Sequence, residues 1–411
     1  MIKEIELNAL DFSALMRPGD RVAWGQAGAE PTALTARLMA QREQIGGFEA
    51  FVGVSLSDSV SSAHAQHVRF QSYCAAGRNR SLSREQQLDI LPCHYSALAA
   101  ALAPVDVLLL QVAQGPQGLS FGVTVEYLAP LIRSARLVIA QVNAQTPWTC
   151  GEYLDPADID LLVRVDEPLL EMTAAVPGPV ELAIARWIAP LVEDGATLQL
   201  GMGSLPEAAL QGLRGHRDLG IHSGAIGDGV AQLMEEGVIT NARKSIDAGI
   251  SVAGALFGGQ RLYRYAHENR AIELRSTAYT HSLDVLRSID RLVTINAAIE
   301  VDLTGQVNAE MAGGAYVGAV GGAMDFMRGA RASHGGLPII VLPATAVKGA
   351  RSTVVEQLSG PVSTPRADAG LIVTEYGVAD LRGCTLRERA RRMVEIAHPD
   401  FRDSLARAGG V

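Results

Sequence analysis

Apolar residues run along this chain in short unbroken blocks, each closed by glycine or a polar cluster. Arg21–Trp24, Ala50–Val54, Val105–Val112, Ala135–Val142 and Leu161–Val165 form a first series. Thr197–Leu200, Leu292–Ile295, Pro338–Leu342 and Leu371–Thr374 form a second. Continuous rather than alternating apolar runs are what strands covered on both faces require. Between them, Glu30–Gln41, Val180–Leu191, Ser204–Leu213 and Met324–Arg331 repeat at helical spacing. Alternating strands and helices predict an α/β fold with mainly parallel sheets.

One pattern occurs twice. Arg21–Leu34 reads RVAWGQAGAEPTAL and Leu198–Leu210 reads LQLGMGSLPEAAL. Each is an apolar strand, a glycine loop, a proline and an amphipathic helix. Proline in a first helical turn removes only an N–H that has no helical partner. The repetition predicts two related open α/β domains in tandem, 1–175 and 176–411, linked through Pro168–Gly178. Chance similarity in a chain rich in alanine and glycine is the alternative.

The 411 residues, 48% hydrophobic and 19% charged, exclude a disordered chain, whose composition cannot bury a core. No apolar run is long enough for a membrane span, and the N-terminus lacks a signal-peptide core. Cys74, Cys93, Cys150 and Cys384 are scattered, which argues against a disulfide scaffold and fits a reducing cytoplasm. A net charge of −9 gives no basic field for nucleic acid. The nine histidines form no HxH or HExxH pair, so no metal is expected.

Chemistry is therefore sought in the loops. Gly201, Met202, Gly203, Ser204 and Leu205 leave a strand and enter a helix, where small residues admit a ligand and backbone N–H groups attract anions. The third glycine of a dinucleotide fingerprint and the Gly-Lys-Ser of a phosphate loop are both missing. The amides of Gly25, Gln26, Ala27 and Gly28 could hold an oxygen that becomes negative during acyl transfer. Either loop can also be a plain structural turn. In Ile295–Arg328 a hairpin turn accounts for Asp302–Gly305, whereas the cluster ending in Gly318, Gly321 and Gly322 reads as a backbone surface for a long or phosphorylated ligand. Glu30, Glu207, Glu300, Glu310 and Asp325 lie near these loops, each equally explained as a helix-terminal or surface charge. His222 follows an apolar run and is as readily a structural hydrogen-bonding residue. No GxSxG elbow occurs.

These stretches resemble the acetyl-CoA hydrolase/transferase family, and within it the 4-hydroxybutyrate CoA-transferase type. The resemblance runs from GQAGAEP at 25–31 through GVTVEYL at 122–128, DGATLQLGMGSLPEAAL at 194–210, LGIHSGAIGDGV at 219–230 and AIEVDLTGQV at 298–307 to IAHPDFR at 396–402. It implies an active site in the cleft between two related domains of a cytoplasmic homodimer. No tightly bound cofactor is implied; coenzyme A or an acyl-CoA is substrate, with a small carboxylate or other acyl acceptor as partner. By position, Gly201–Leu205, Gly318 and Gly322 would face coenzyme A, and Gly25–Gly28 would be the oxyanion loop.

The chain departs from the family at one place. Members that transfer CoA carry a glutamate two residues after the histidine of His222-Ser223-Gly224, and that carboxylate becomes a glutamyl-CoA thioester. Here the position is Gly224. A milder departure is Ala323. Three readings follow: acyl transfer to water or another acceptor without the glutamyl intermediate, CoA transfer through another carboxylate such as Glu310, or acyl-CoA binding without catalysis.

Overall fold

A computed structural model describes residues 3–173 and 176–411. The expected linker Pro168–Gly178 therefore includes two positions, 174 and 175, that lie outside the described residues. The chain divides into two compact units, the first built from Met1–Thr173 with Val252–Thr280 and the second from Ala174–Ser251 with His281–Val411.

In the first unit, strands β1 (Lys3–Glu4), β2 (Arg21–Trp24), β3 (Phe48–Phe51), β4 (Val68–Ser72), β5 (Leu88–Ile90), β6 (Val107–Gly115), β7 (Leu137–Asn143) and β8 (Leu161–Val165) form a sheet in the order β1-β8-β7-β6-β2-β3-β4-β5. All these neighbours are parallel. One face packs Val22, Trp24, Leu34, Leu38, Phe48, Val107, Leu109 and Ile139 into a core. The segment Val252–Thr280 falls in this unit, where Leu256 N–H donates to Val123 O at 2.8 Å and Val125 N–H to Gly254 O at 3.0 Å. Ile272–Leu274 also pairs in parallel with Cys150–Gly151. A boundary drawn along the sequence at 175 does not separate this segment from the second half.

In the second unit, β9 (Thr197–Leu200), β10 (Gly220–Ile226), β11 (Leu292–Ala297), β12 (Leu337–Val341), β13 (Leu371–Thr374) and β14 (Gly377–Asp380) run in the order β14-β13-β12-β11-β9-β10. Only the edge pair β13–β14 is antiparallel; the others are parallel. Val301, Met327, Ile340, Leu342, Ile372 and Met393 are among its core residues. The mainly parallel α/β architecture expected from the unbroken apolar runs is therefore observed.

Both glycine loops leave a parallel strand at its carboxyl end, where open α/β sheets place their ligand sites. The first leads from β2 into helix α1 (Thr32–Ala40), and the second from β9 into helix α2 (Ser204–Gly212).

Candidate functional site

The loop after β2 is interior: every residue from Val22 to Pro31 is buried. Gln26 anchors it. Its Oε1 accepts from Val54 N–H and from the Tyr73 hydroxyl, each at 2.9 Å. Its Nε2 donates to Tyr95 Oη at 2.8 Å and to Glu126 Oε2 at 2.6 Å. A side chain on Gly53 would collide with this carboxamide, so that glycine is fixed by close approach. Ala27 N–H donates to Val54 O at 2.7 Å, and Ala27 itself lies at φ +49°, an uncommon region for a residue with a Cβ. Gly28 O accepts from Gln111 Nε2 at 2.7 Å, and a Cβ there would strike the Tyr263 hydroxyl. Gln141 then supplies Oε1 to the N–H groups of Ala33 and Leu34, satisfying donors at the start of α1.

Two carboxylates complete the arrangement. Glu30 is 1% exposed, and its oxygens accept from the hydroxyls of Ser55 and Ser57 and from the Leu56 N–H. Burial raises its carboxyl above the usual range despite those donors. Glu126, 2% exposed, is pushed up to about 7 by burial, opposed by hydrogen bonds from Gln26 and Tyr95. Glu126 lies inside the quoted stretch GVTVEYL, but nothing in that pattern tells its carboxylate from a surface charge.

The loop after β9 is built differently. Gly201 N–H donates to Ile295 O at 2.9 Å, and beyond it the chain opens to solvent. Met202 is 47% exposed; Gly203 sits at φ +115° with no atom within 4 Å of where a Cβ would be. Ser204 begins α2 and reaches Glu181 at 3.4 Å, while Leu205 turns inward. In the same helix the Glu207 carboxyl is raised by burial and by Asp228, and it rests against Gly229, whose missing side chain makes room for it.

Gly318 has a structural cause. A Cβ there would fall on Ala309 O, and its N–H donates to Glu310 O at 2.9 Å. Gly322 is the cap residue of helix α3 (Ala323–Ala332). Asp302–Gly305 turns the expected hairpin, with Glu300–Asp302 antiparallel to Val307–Asn308 and Gly305 at φ +94°. Glu310 is 4% exposed, with one oxygen accepting from Ser363 Oγ at 2.7 Å and the other from the Tyr316 hydroxyl at 3.1 Å. Both oxygens are thus engaged in ordinary structural hydrogen bonds.

His222 and Ser223 lie within β10 and are fully buried; the Ser223 hydroxyl is 3.3 Å from Leu200 O. Gly224 follows, half-buried. A Cβ on Gly224 would stand 3.2 Å from both Cε1 and Nε2 of His281 and 3.5 Å from Phe326. The His281 ring packs on Phe326 at 4.6 Å between centroids. Burial, reinforced by His222, lowers the His281 imidazole to about 3, so it is neutral at physiological pH. No motif in the sequence links His281 to position 224; the sheet and the helix that carries Phe326 bring them together. Among the described residues no group of three or more histidine, cysteine or acidic side chains could hold a metal ion.

The sequence models of the acetyl-CoA hydrolase/transferase N-terminal and C-terminal domains match residues 7–171 and 258–408. The 4-hydroxybutyrate coenzyme A transferase of Clostridium kluyveri is 39% identical over 396 residues, 94% of this chain and 92% of that protein. The chain belongs to the acetyl-CoA hydrolase/transferase family. The crystal structure of RipA from Yersinia pestis matches with a TM-score of 0.93 at 33% identity, covering 99% of this chain and 97% of the other. The 4-hydroxybutyrate CoA-transferase of Porphyromonas gingivalis gives 0.82 at 32% identity, covering 98% and 96%. As a member of this transferase/hydrolase family, the chain is an enzyme. Among its described residues, no helix is long and apolar enough to cross a membrane.

Proposed function

We propose that this enzyme transfers the acyl group of an acyl-CoA to water or to another small acceptor without passing through a glutamyl-CoA thioester. The observation that carries the reading is at position 224: the residue is glycine, and the neutral His281 ring lies 3.2 Å from where its Cβ would be. Covalent catalysis needs a side-chain nucleophile, and glycine offers none. An uncharged imidazole beside the position does not repel an approaching carboxylate or water. In the hydrolytic case, the water oxygen bonds to the thioester carbon, the carbon–sulfur bond breaks, and the water protons end on the CoA sulfur and the departing acid. The Gly201–Leu205 loop, exposed at Met202 and Gly203, is taken as the coenzyme A contact. The oxyanion role falls to the Gly25, Gln26 and Gly28 amides, since the Ala27 N–H is spent on Val54. The same reading takes the enzyme as a cytoplasmic homodimer without a tightly bound cofactor.

The test is release of free CoA from a panel of acyl-CoA thioesters, with and without acetate. Acetate-independent release is expected. Formation of acetyl-CoA from added acetate, with the free acid released in equal amount and no free CoA, would contradict the proposal. Gly224→Glu is expected to gain acetate-dependent CoA transfer, because the backbone there is not in the left-handed region and the His281 ring needs to yield only a few tenths of an ångström.

A further inference from the structure

We infer that Glu126 is a positioning residue for the Gly25–Gly28 loop, its carboxylate holding the loop in its working geometry through the Gln26 carboxamide. This rests on the reading of that loop as the oxyanion loop and adds the group that controls it.

A carboxamide has two N–H groups and an oxygen with two lone pairs. All four of Gln26's capacities are used: Val54 N–H and Tyr73 O–H donate to the oxygen, and the nitrogen donates to Tyr95 and Glu126. The loop backbone therefore follows wherever this amide is held. Of its four partners, only the Glu126 carboxylate changes charge in the neutral range. The hydroxyls of Tyr73 and Tyr95 are pushed well up by burial, so they stay protonated donors. Tyr127 faces the same carboxylate, is raised likewise, and donates to Trp24 O at the end of β2. Cys74 lies beside Tyr73 with its thiol raised by burial, and Glu30 acts on Tyr127 from the far end of the loop. On the Ser276 side, Glu152 accepts the Ser276 N–H and hydroxyl. None of these groups is cationic. Glu126 also sits at φ +31°, a strained conformation for a glutamate, in a segment whose carbonyl is held by Thr277 N–H. Such strain persists where surrounding structure imposes it, often at functional sites.

Ionised, the carboxylate accepts from Gln26 and Tyr95 together. Protonated, it carries an O–H that competes with those donors, and the clamp on Gln26 slackens. Loop order and turnover should therefore both fall as pH drops through about 7.

The test measures hydrogen exchange of the 25–31 segment, corrected for intrinsic rates, and kcat on one acyl-CoA, between about pH 5.5 and 8.5. A step in both near neutrality is expected in the unaltered enzyme. Glu126→Gln, a neutral isostere, should remove the step, and Tyr95→Phe, which deletes one donor to the carboxylate, should move it up by roughly one pH unit. An absent step, or one unmoved in both variants, would overturn the inference. If Glu126→Gln fails to fold, the Tyr95→Phe shift decides alone. An exchange step with flat turnover supports the positioning role and instead refutes the catalytic reading of the loop.

Discussion

The loops after β2 and β9 share one sequence plan, strand, glycines, proline and helix, yet they are opposite kinds of structure. Residues 25–30 are wholly buried and tied at both ends, Gln26 by four hydrogen bonds and Glu30 by the Ser55–Ser57 segment. Residues 202–203 are exposed, with open space around Gly203. Glycine serves close packing in the first loop, where Gly28 lies under Tyr263, and backbone conformation in the second, where Gly203 takes φ +115°. Under the proposed function, the buried polar clamp would keep donors where a transition state needs them, and the open loop would admit and release the ligand.

The largest expected effect is on the clamp. Gln26→Leu leaves the Val54 N–H and the Tyr73 hydroxyl without this acceptor and takes one of two donors from the buried Glu126 carboxylate, at roughly 3–5 kcal/mol of stability. Urea unfolding at neutral pH measures it. A loss below about 1 kcal/mol would mean that the clamp is not structural.

Next comes Glu126→Gln. The unfolded carboxyl releases its proton near 4.5 and the folded one only near 7, so the native state holds the extra proton between them. Native stability therefore falls as pH rises through that window, by roughly 3 kcal/mol at about 1.4 kcal/mol per pH unit. The variant should lack this decline and unfold later than the unaltered enzyme at about pH 8. Thermal melts at several pH values decide it.

Smaller effects belong to the open loop. Gly203→Ala forces a Cβ into the left-handed region and should cost about 1–2 kcal/mol, whereas Gly201→Ala, with 3.5 Å of clearance, should be nearly neutral. Met202→Ala should leave stability within about 0.5 kcal/mol but weaken coenzyme A binding several-fold by calorimetry. Unchanged affinity in both Gly203→Ala and Met202→Ala would remove this loop from the ligand site.

Much of this was legible in the sequence, because buried parallel strands leave unbroken apolar runs. Arg21–Trp24, Leu161–Val165, Thr197–Leu200 and Leu371–Thr374 form strands at the bounds their runs suggest. Of β10 only the start is legible, in the apolar run before His222; His222, Ser223 and Gly224 read as polar, and tertiary burial carries the strand on to Ile226. The grouping of Val252–Thr280 with the first unit, where it meets residues 123–125 and 150–151, is a long-range feature that no local pattern encodes. At the candidate site the glycine loops stood out, but not their difference in burial. Glycine clusters are ambiguous in sequence, and at Gly318 the close approach of Ala309 O is a local reason for glycine that the pattern does not show. Glu126 and His281 gave no signal, because each gains its character from residues distant in the chain.

The central claim concerns position 224. Peptide mass spectrometry of the enzyme, after exposure to an acyl-CoA and reduction with borohydride, tests it directly. A glutamyl-CoA thioester would be reduced to the alcohol of that glutamate. The account predicts no reduced glutamate in the unaltered enzyme and a reduced residue 224 in Gly224→Glu; a reduced glutamate in the unaltered chain, at Glu310 or elsewhere, would contradict it.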